Sequence, residues 1–599
     1  MKMKKLIIRL IISFVFWVLG IVFSDNEILR LSFFVLAYLI SGYDILVGAI
    51  RNIVTGNLLD EFFLMSVASV GAFILGEYVE AVAVMIFFQV GEVFQGIAVE
   101  KSKKAIMDTM DLHVTKCWLE NGEEIDPEDV KVGQKILVKP GEMVPLDGIL
   151  INSGTVNTSS LTGEPLDSDV NAGDMVLSGS INTTTPLIIE VVKEYYDSTA
   201  MKILDMVENA TMKKAKSEKF ITKFARVYTP IVVGFAVVLA FLPPLIMGFN
   251  EHFNIWLYRA LSFLVVSCPC ALVISVPLSY FAGIGACAKN KIIVKGGSYL
   301  EDLANISNII LDKTGTLTKA EFNVVSVIGD KEEILKIARG LEDKSNHPLA
   351  LAINKYTDKK YEFEVKETPG YGVIGYKDNI RYICGSKKLL NKYGIEEISI
   401  PNISSVLYIA ENEKCIGAVL LQDVIKEEAK KTINDLTTSN INVTVLSGDT
   451  LGSVEKVCNN LNIKNYYSSL LPTDKVEKIK DIIEHTSGKT MFVGDGINDA
   501  PVLAISDIGV SMGQVGSDSA VEASDVVILN DNLKALPKML KIAKKTRNIV
   551  IQNIVFAIGI KVLVLILSAF GIVGMDWAIF ADVGVCVIAI INAMRALKS

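Results

Sequence analysis

The sequence predicts a multidomain membrane protein: an eight-helix α transmembrane bundle interrupted by a β-rich domain and by an α/β domain carrying an α+β insertion. Three observations predict this architecture. Apolar residues make up 51% of 599 positions and fall in long runs, with mean hydropathy +0.41. Lys and Arg cluster at alternate ends of those runs. The two long polar stretches have different rhythms, one of short β alternations and one of strands alternating with helical patterns.

The apolar runs place spans at roughly 5–23, 29–50, 58–76, 79–100, 226–248, 256–288, 548–570 and 575–595. The opening MKMKKLIIRLIISFVFWVLGIVF is basic and then apolar, but no small-residue cleavage site follows, so it reads as a retained helix. Lys2, Lys4, Lys5 and Arg9 precede span one, and Arg51 follows span two. Lys101, Lys103 and Lys104 follow span four, Lys289 and Lys291 span six, and Arg595 and Lys598 span eight. All five sets share one side only if the count is even, which puts both termini in the cytoplasm of a cell-membrane protein.

Between the spans, 101–222 carries short strand-like runs such as KILVKPGEMVPLDGILI broken by Gly, Pro and Asn. The α/β domain comes in two parts, 299–320 and 437–545, with 321–436 as an insertion of different rhythm. Residues 1–100, 223–298 and 546–599 hold helices one to four, five to six and seven to eight.

Composition excludes several classes. Eight cysteines are scattered and only Cys268 and Cys270 are close, so no disulfide framework is expected. A net charge of −8 speaks against a nucleic-acid partner. The four histidines form no cluster, and no CxxC near the start announces an N-terminal metal-binding domain. A monomer is expected.

The chemistry sits at strand ends. Asp312, in DKTGT, follows the apolar strand Asn308 to Leu311, and a carboxylate there lies in the crevice where parallel sheets bind ligands. It can attack a γ-phosphate and become an acyl-phosphate. Asp495 and Asp499, in GDGINDAP, follow a second apolar strand and are hard oxygen ligands of the kind Mg²⁺ takes. Lys475, in LPTDK, can neutralise a transferring phosphoryl group. Ser447, Gly448 and Asp449 offer a hydroxyl and backbone N–H groups to its oxygens.

With these residues the chain resembles the P-type ATPases over nearly its whole length. DKTGT (Asp312, Lys313, Thr314) looks like their phosphorylation motif, and GDGINDAP their hinge and magnesium motif. The resemblance implies a haloacid-dehalogenase-like phosphorylation domain, a nucleotide-binding insertion, and ATP and Mg²⁺ as cofactors. TGE at 162–164 looks like the loop of their actuator domain, with Glu164 positioning water for dephosphorylation; without the family it is merely a turn. Glu342, His347, Gly370 and Gly372 match the nucleotide-domain pattern of the heavy-metal branch. The resemblance gives Glu342 and His347 an adenine contact and the glycines a close backbone approach. Asn346 stands where that branch often carries Glu.

Cys268-Pro269-Cys270 lies mid-span in the sixth run. Pro269 lacks an N–H and must kink or open the helix, and flanking thiolates select soft ions over Mg²⁺ or Ca²⁺. Lys561 and Asp582 fall inside spans seven and eight, where a charge costs about 2.5–3.5 kcal/mol on insertion scales. Lys561 is about 20 Å from one end of its span and about 14 Å from the other, so snorkelling is a poor explanation. A structural Lys–Asp pair is one reading. A cation site is the other: two thiolates and Asp582 sum to −3, Lys561 as counter-ion returns +1, and a divalent ion closes the balance. Cys268, Cys270 and Asp582 would supply three of the four ligands of zinc. The resemblance agrees, pointing to the zinc/cadmium/lead-exporting group. Glu77 and Glu80 belong to the loop between spans three and four, and Glu92 lies deeper, where it could draw metal outward.

The function expected is therefore ATP-driven export of Zn²⁺, Cd²⁺ or Pb²⁺ through an aspartyl-phosphate. A copper(I) or manganese exporter, or a non-pumping metal sensor, stands as the alternative.

Overall fold

A computed structural model describes residues 2–23, 25–54, 61–110, 116–158, 167–202, 216–267, 270–343, 345, 348–368, 371–378, 380–398, 400, 405–494, 499–512 and 523–598. The chain divides into two compact units: Met1–Ser160, Asp167–Ala304 and Lys541–Ser599 in one, Leu161–Leu166 and Asn305–Leu540 in the other.

The first unit holds the apolar helices and the β-rich domain. Six described helices are long and apolar enough to cross a membrane, within Lys5–Val22, Glu27–Val54, Tyr228–Met247, Ala271–Lys289, Ala535–Ala569 and Phe580–Lys598. Glu61–Ile74, Tyr78–Met110 and Phe249–Val266 pack among them. Over the stretch read as one span, 256–288, the described helices are Phe249–Val266 and Cys270–Lys289, on either side of the position where Pro269 is expected to kink or open the helix; Cys268 and Pro269 lie outside the described residues. Ser267 caps the first helix, and Pro269, between the two, cannot supply the N–H that continuation needs.

In hydrocarbon, contacts between helices depend on close approach and polar bonds rather than on apolar burial. Both devices occur here. The Ser13 hydroxyl donates to the Ala37 carbonyl at 2.8 Å, and Tyr38 and Ser69 share a buried 2.9 Å bond. Gln89 donates to the Ser41 carbonyl at 3.1 Å. At Gly71 a Cβ would come within 2.7 Å of the Leu261 side chain, so glycine lets that side chain of helix Phe249–Val266 pack directly on helix Glu61–Ile74.

The β-rich domain pairs a six-stranded antiparallel sheet with a three-stranded one. Its centre is Lys135–Val138, Leu187–Val191 and Gly148–Leu150, whose inward residues Ile136, Val138, Leu187, Ile189 and Leu150 form the core. Asp147 is fully buried beside that core and accepts five kinds of donor: the Ser178 N–H and hydroxyl, the Thr199 N–H and hydroxyl, and the Lys193 ammonium at 3.0 Å. Burial alone would raise its pKa, but the bonds from Ser178, Thr199 and Lys193 outweigh it and hold the carboxyl below the usual carboxylate range.

In the second unit a parallel sheet is built on Ile306–Asp312. Asn442–Leu446 flanks it on one side and Lys489–Gly494 on the other. Asn465–Tyr467 continues outward from the first, and Ile508–Met512 and then Val526–Ile528 from the second. Ile309, Ile310, Leu311, Phe492 and Val445 are buried, as both-face packing of parallel strands demands. The insertion is a six-stranded antiparallel sheet running from Thr318–Ile328 through Lys414–Ile425, Ser405–Glu411, Ile380–Gly385 and Gly372–Lys377 to Glu364–Thr368. Helix Lys331–Leu341 packs on it through Ile334, Ile337, Ala338 and Leu341.

Because the Asp147 pKa is depressed by folding, its stabilisation is present above the unfolded carboxylate pKa and is lost as pH falls through the lower folded value. Asp147→Ala should leave Lys193 and four donors unanswered and destabilise the β-rich domain by about 3–5 kcal/mol at neutral pH. Thermal unfolding at pH 7 checks this, and the difference from the parent should shrink in acid.

Candidate phosphoryl-transfer and metal sites

Asp312 closes the central strand, and its register partner Leu446 leads directly into Ser447 and Asp449. Leu311 pairs with Val493, so the loop that carries Asp495 leaves from the adjacent strand end. Sheet topology thus gathers residues far apart in the chain at one edge. Lys475, on helix Pro472–His485, reaches in and donates to Asp312 Oδ1 at 2.6 Å and to Asp499 Oδ1 at 2.9 Å. Burial works against its charge, but Asp312 and Asp499 prevail and hold its pKa above the ordinary lysine value. Lys475 is therefore a permanent cation against the candidate nucleophile.

Lys313 points to a second cluster. Its ammonium, 1% exposed, pairs with Asp449 at 2.7 Å and Asp423 at 3.3 Å. The Thr318 hydroxyl donates to the same Asp423 oxygen at 2.5 Å. Burial raises the Asp423 pKa against the opposing pull of Thr318 and Lys313. The turn Lys313–Leu317 is pinned by Lys426, whose Nζ donates to the Gly315 carbonyl at 2.9 Å and pairs with Asp531 at 2.6 Å. Gly315 has φ 75°, a left-handed conformation that favours glycine inside DKTGT. Thr314 precedes it in an extended conformation. Ser447 is buried and its Oγ accepts from the Asp449 N–H at 3.1 Å.

Sequence reasoning missed Asp423 and Lys426. No local pattern marks them: Asp423 lies near the end of the antiparallel strand Lys414–Ile425, Lys426 follows that strand, and the partners of both are more than one hundred residues away in sequence. Of the other expected residues, Glu164 and Asp495 lie outside the described residues. Four carboxylates (Asp312, Asp423, Asp449 and Asp499) face two ammoniums at this edge, a formal surplus of two negative charges. Hard oxygen donors with that surplus fit a magnesium ion.

In the insertion, Glu342 ends helix Lys331–Leu341 and is buried, with the Cys384 thiol hydrogen-bonded to its side chain. Gly372 has φ 140°, and a Cβ there would stand 2.3 Å from the Cys384 carbonyl oxygen. Glu342 and Gly372 thus meet on either side of Cys384. His347 and Gly370 lie outside the described residues.

Among the apolar helices, Lys561 Nζ donates to Asp582 Oδ1 at 2.5 Å, with both side chains about nine-tenths buried. Helices Ala535–Ala569 and Met575–Met594 are locked in this register two turns away, where Asn553 donates to the Ala589 carbonyl at 3.0 Å and Asn592 to Asn553 at 2.9 Å. Asp582 lines a cavity of about 250 Å³ together with Glu92, Cys586, Val265, Val273 and Ile274. Val265 belongs to helix Phe249–Val266 and Val273 and Ile274 to helix Cys270–Lys289, the two helices that flank Cys268 and Pro269 in sequence. Cys268 lies outside the described residues; Cys270 opens the helix Cys270–Lys289. Glu77 lines a different cavity with Arg259 and Ser568, apart from Glu92.

Residues 111–208 match the P-type ATPase actuator domain, and residues 306–507 match the haloacid dehalogenase-like hydrolases. The chain is 44% identical over 577 residues to the cadmium, zinc and cobalt-transporting ATPase of Bacillus subtilis, covering 94% of this chain and 82% of that one. It is 42% identical over 589 residues to the zinc-transporting ATPase of Synechocystis, covering 96% and 82%. A crystal structure of a zinc-transporting PIB-type ATPase in the E2.Pi state superposes with TM-score 0.64 at 29% identity, covering 99% of this chain and all of that one. With relatives this similar along almost their whole length, and a lysine-bridged aspartate pair at the edge of a parallel sheet, the chain belongs to the metal-transporting P-type ATPases.

Proposed function

We propose that the chain exports a thiophilic divalent cation, zinc or cadmium, by phosphorylating Asp312 from ATP. The observation that carries the cargo assignment is the buried Lys561–Asp582 pair, whose carboxylate lines a cavity shared with residues of the two helices that flank Cys268 and Pro269 in sequence. A cation entering between the Cys268 and Cys270 thiolates would displace Lys561 from Asp582 and take the carboxylate as its third ligand. When the cation leaves, Lys561 recloses on Asp582 and keeps the empty site neutral. A monovalent copper ion would leave the same set of groups at −1. The relatives' names, zinc, cadmium and cobalt, support the divalent class.

At the phosphorylation site the Asp312 carboxylate attacks the terminal phosphorus of ATP. Lys475 neutralises charge developing on the transferred group, and the Ser447 hydroxyl and neighbouring N–H groups hold its oxygens. Lys313, fixed by Asp423 and Asp449, positions the loop that carries Thr314. Asp312, Asp495 and Asp499 would hold Mg²⁺, which supplies charge neutralisation at the phosphates. Glu164 positions the water that later removes the phosphate. Glu342, His347, Gly370 and Gly372 hold the nucleotide in the insertion. Residues 101–222 serve as actuator, 299–320 with 437–545 as phosphorylation domain, and 321–436 as nucleotide-binding domain. The basic residues flanking the spans support cytoplasmic termini, and Glu92 accepts the cation on its way out.

Asp312→Asn should abolish acid-stable, hydroxylamine-sensitive label from ATP, and Lys475→Ala should lower turnover by about 10²–10³-fold. Glu164→Gln should accept label and lose it slowly; rapid decay of the phosphoprotein in that variant would remove TGE from the cycle.

The membrane pair separates structure from transport. Asp582→Ala and Lys561→Ala each leave one buried charge unanswered and should lower protein stability by about 3–5 kcal/mol. The double variant should recover stability but not Zn²⁺- or Cd²⁺-stimulated hydrolysis. Full metal stimulation in the double variant would make the pair purely structural.

A further inference from the structure

The cavity lined by Asp582 holds one donor that neither the sequence motifs nor the charge balance used. Cys586 stands four residues after Asp582 on the same helix, so the two side chains share a face one turn apart. Both line the 250 Å³ cavity, with Glu92 from helix Tyr78–Met110 on its other wall. The rest of the wall is apolar or small: Phe62, Met65, Val84, Phe87, Phe88, Val265, Val273, Ile274, Val583 and Gly91. The polar donors facing this space are thus one thiol and two carboxylates. Cys287, the other bundle cysteine whose side chain is described, gives a contrast, because it is buried outside this cavity.

We propose that Cys586 is a further ligand for the transported cation, a thiolate station that, with Asp582, receives the ion from the Cys-Pro-Cys segment before it passes to Glu92. Among the described residues no three His, Cys, Asp or Glu side chains converge closely enough to hold a metal ion together. That dispersion suits passage. A conducted ion must be bound well enough to enter each position and weakly enough to leave it, and donors spread along a cavity meet both demands. Ligation forms a metal–sulfur bond and breaks the S–H bond, the proton being taken by the Glu92 carboxylate that faces the same space; when the ion moves on to Glu92, that proton returns to the Cys586 sulfur, so metal and proton exchange places. A thiolate here also biases the path towards softer ions, so Cys586 sets selectivity between cadmium and zinc rather than turnover itself.

This inference rests on the export reading above, and its test separates the two. Full-length protein in lipid vesicles is assayed for Cd²⁺- and Zn²⁺-stimulated hydrolysis as the parent, Cys586→Ser and Cys586→Ala. Both variants should lower the cadmium-to-zinc stimulation ratio severalfold, Ala more than Ser, which keeps a weak oxygen donor. Independently, cadmium-edge X-ray absorption on fluoroaluminate-trapped protein should count one sulfur neighbour fewer in Cys586→Ser than in the parent. Asp312 labelling from ATP verifies that each variant retains a working catalytic unit, and the Ala variant stands in if Ser fails to fold. An unchanged metal ratio with an unchanged sulfur count overturns the role of Cys586 and leaves the export reading intact. A parent that neither metal stimulates overturns the export reading itself.

Discussion

Lys313, Lys475 and Lys561 each carry an ammonium into a buried position, and each meets carboxylate oxygen at 2.5–3.3 Å. An unpaired charge in such a place costs several kcal/mol, so these contacts constrain everything around them. The parallel sheet must present Asp312 at one strand end, Asp449 beyond the neighbouring strand and Asp499 beyond the other. The last two helices must keep the register that sets Lys561 opposite Asp582.

The same constraint makes the two sites switchable. A buried ion pair contributes little net stability, because desolvation offsets most of the Coulombic gain. It is therefore cheap to exchange one cationic partner for another. Lys475 bridges Asp312 and Asp499, and Lys561 holds Asp582. In the proposed cycle Lys561 would give way to a cation at Asp582, whereas Lys475 would stay to meet the anionic phosphoryl group.

The helix break belongs to the same logic. Ending one helix at Val266 and starting the next at Cys270 removes regular backbone bonding in the middle of a bundle, which is tolerated only where protein or a cavity surrounds it. Val265 of the first helix and Val273 of the second both line the cavity that holds Asp582 and Glu92. Polar bonds such as Tyr38 to Ser69 and Gln89 to Ser41 hold the neighbouring helices together.

The sequence by itself determined the catalytic strand ends, because an Asp closing an apolar run at DKTGT and GDGINDAP is a local pattern. It determined the membrane character too, since an apolar run of about twenty residues is a property of consecutive positions. Lys561 and Asp582 stood out for the same reason, as charged residues inside apolar runs, and the structure pairs them. Only the tertiary structure decided that the stretch read as span six holds the helices Phe249–Val266 and Cys270–Lys289, because whether a proline kinks or separates a helix depends on what packs around it. Only it assigned Asp423 and Lys426 to the phosphorylation loop, since their partners are more than one hundred residues away in sequence and met through the long strand pair Thr318–Ile328 and Lys414–Ile425. Cys586 likewise carried no signal in the chain. A cysteine in an apolar helix is an ordinary small apolar residue until the packing of other helices shows that its face opens on a cavity shared with two carboxylates.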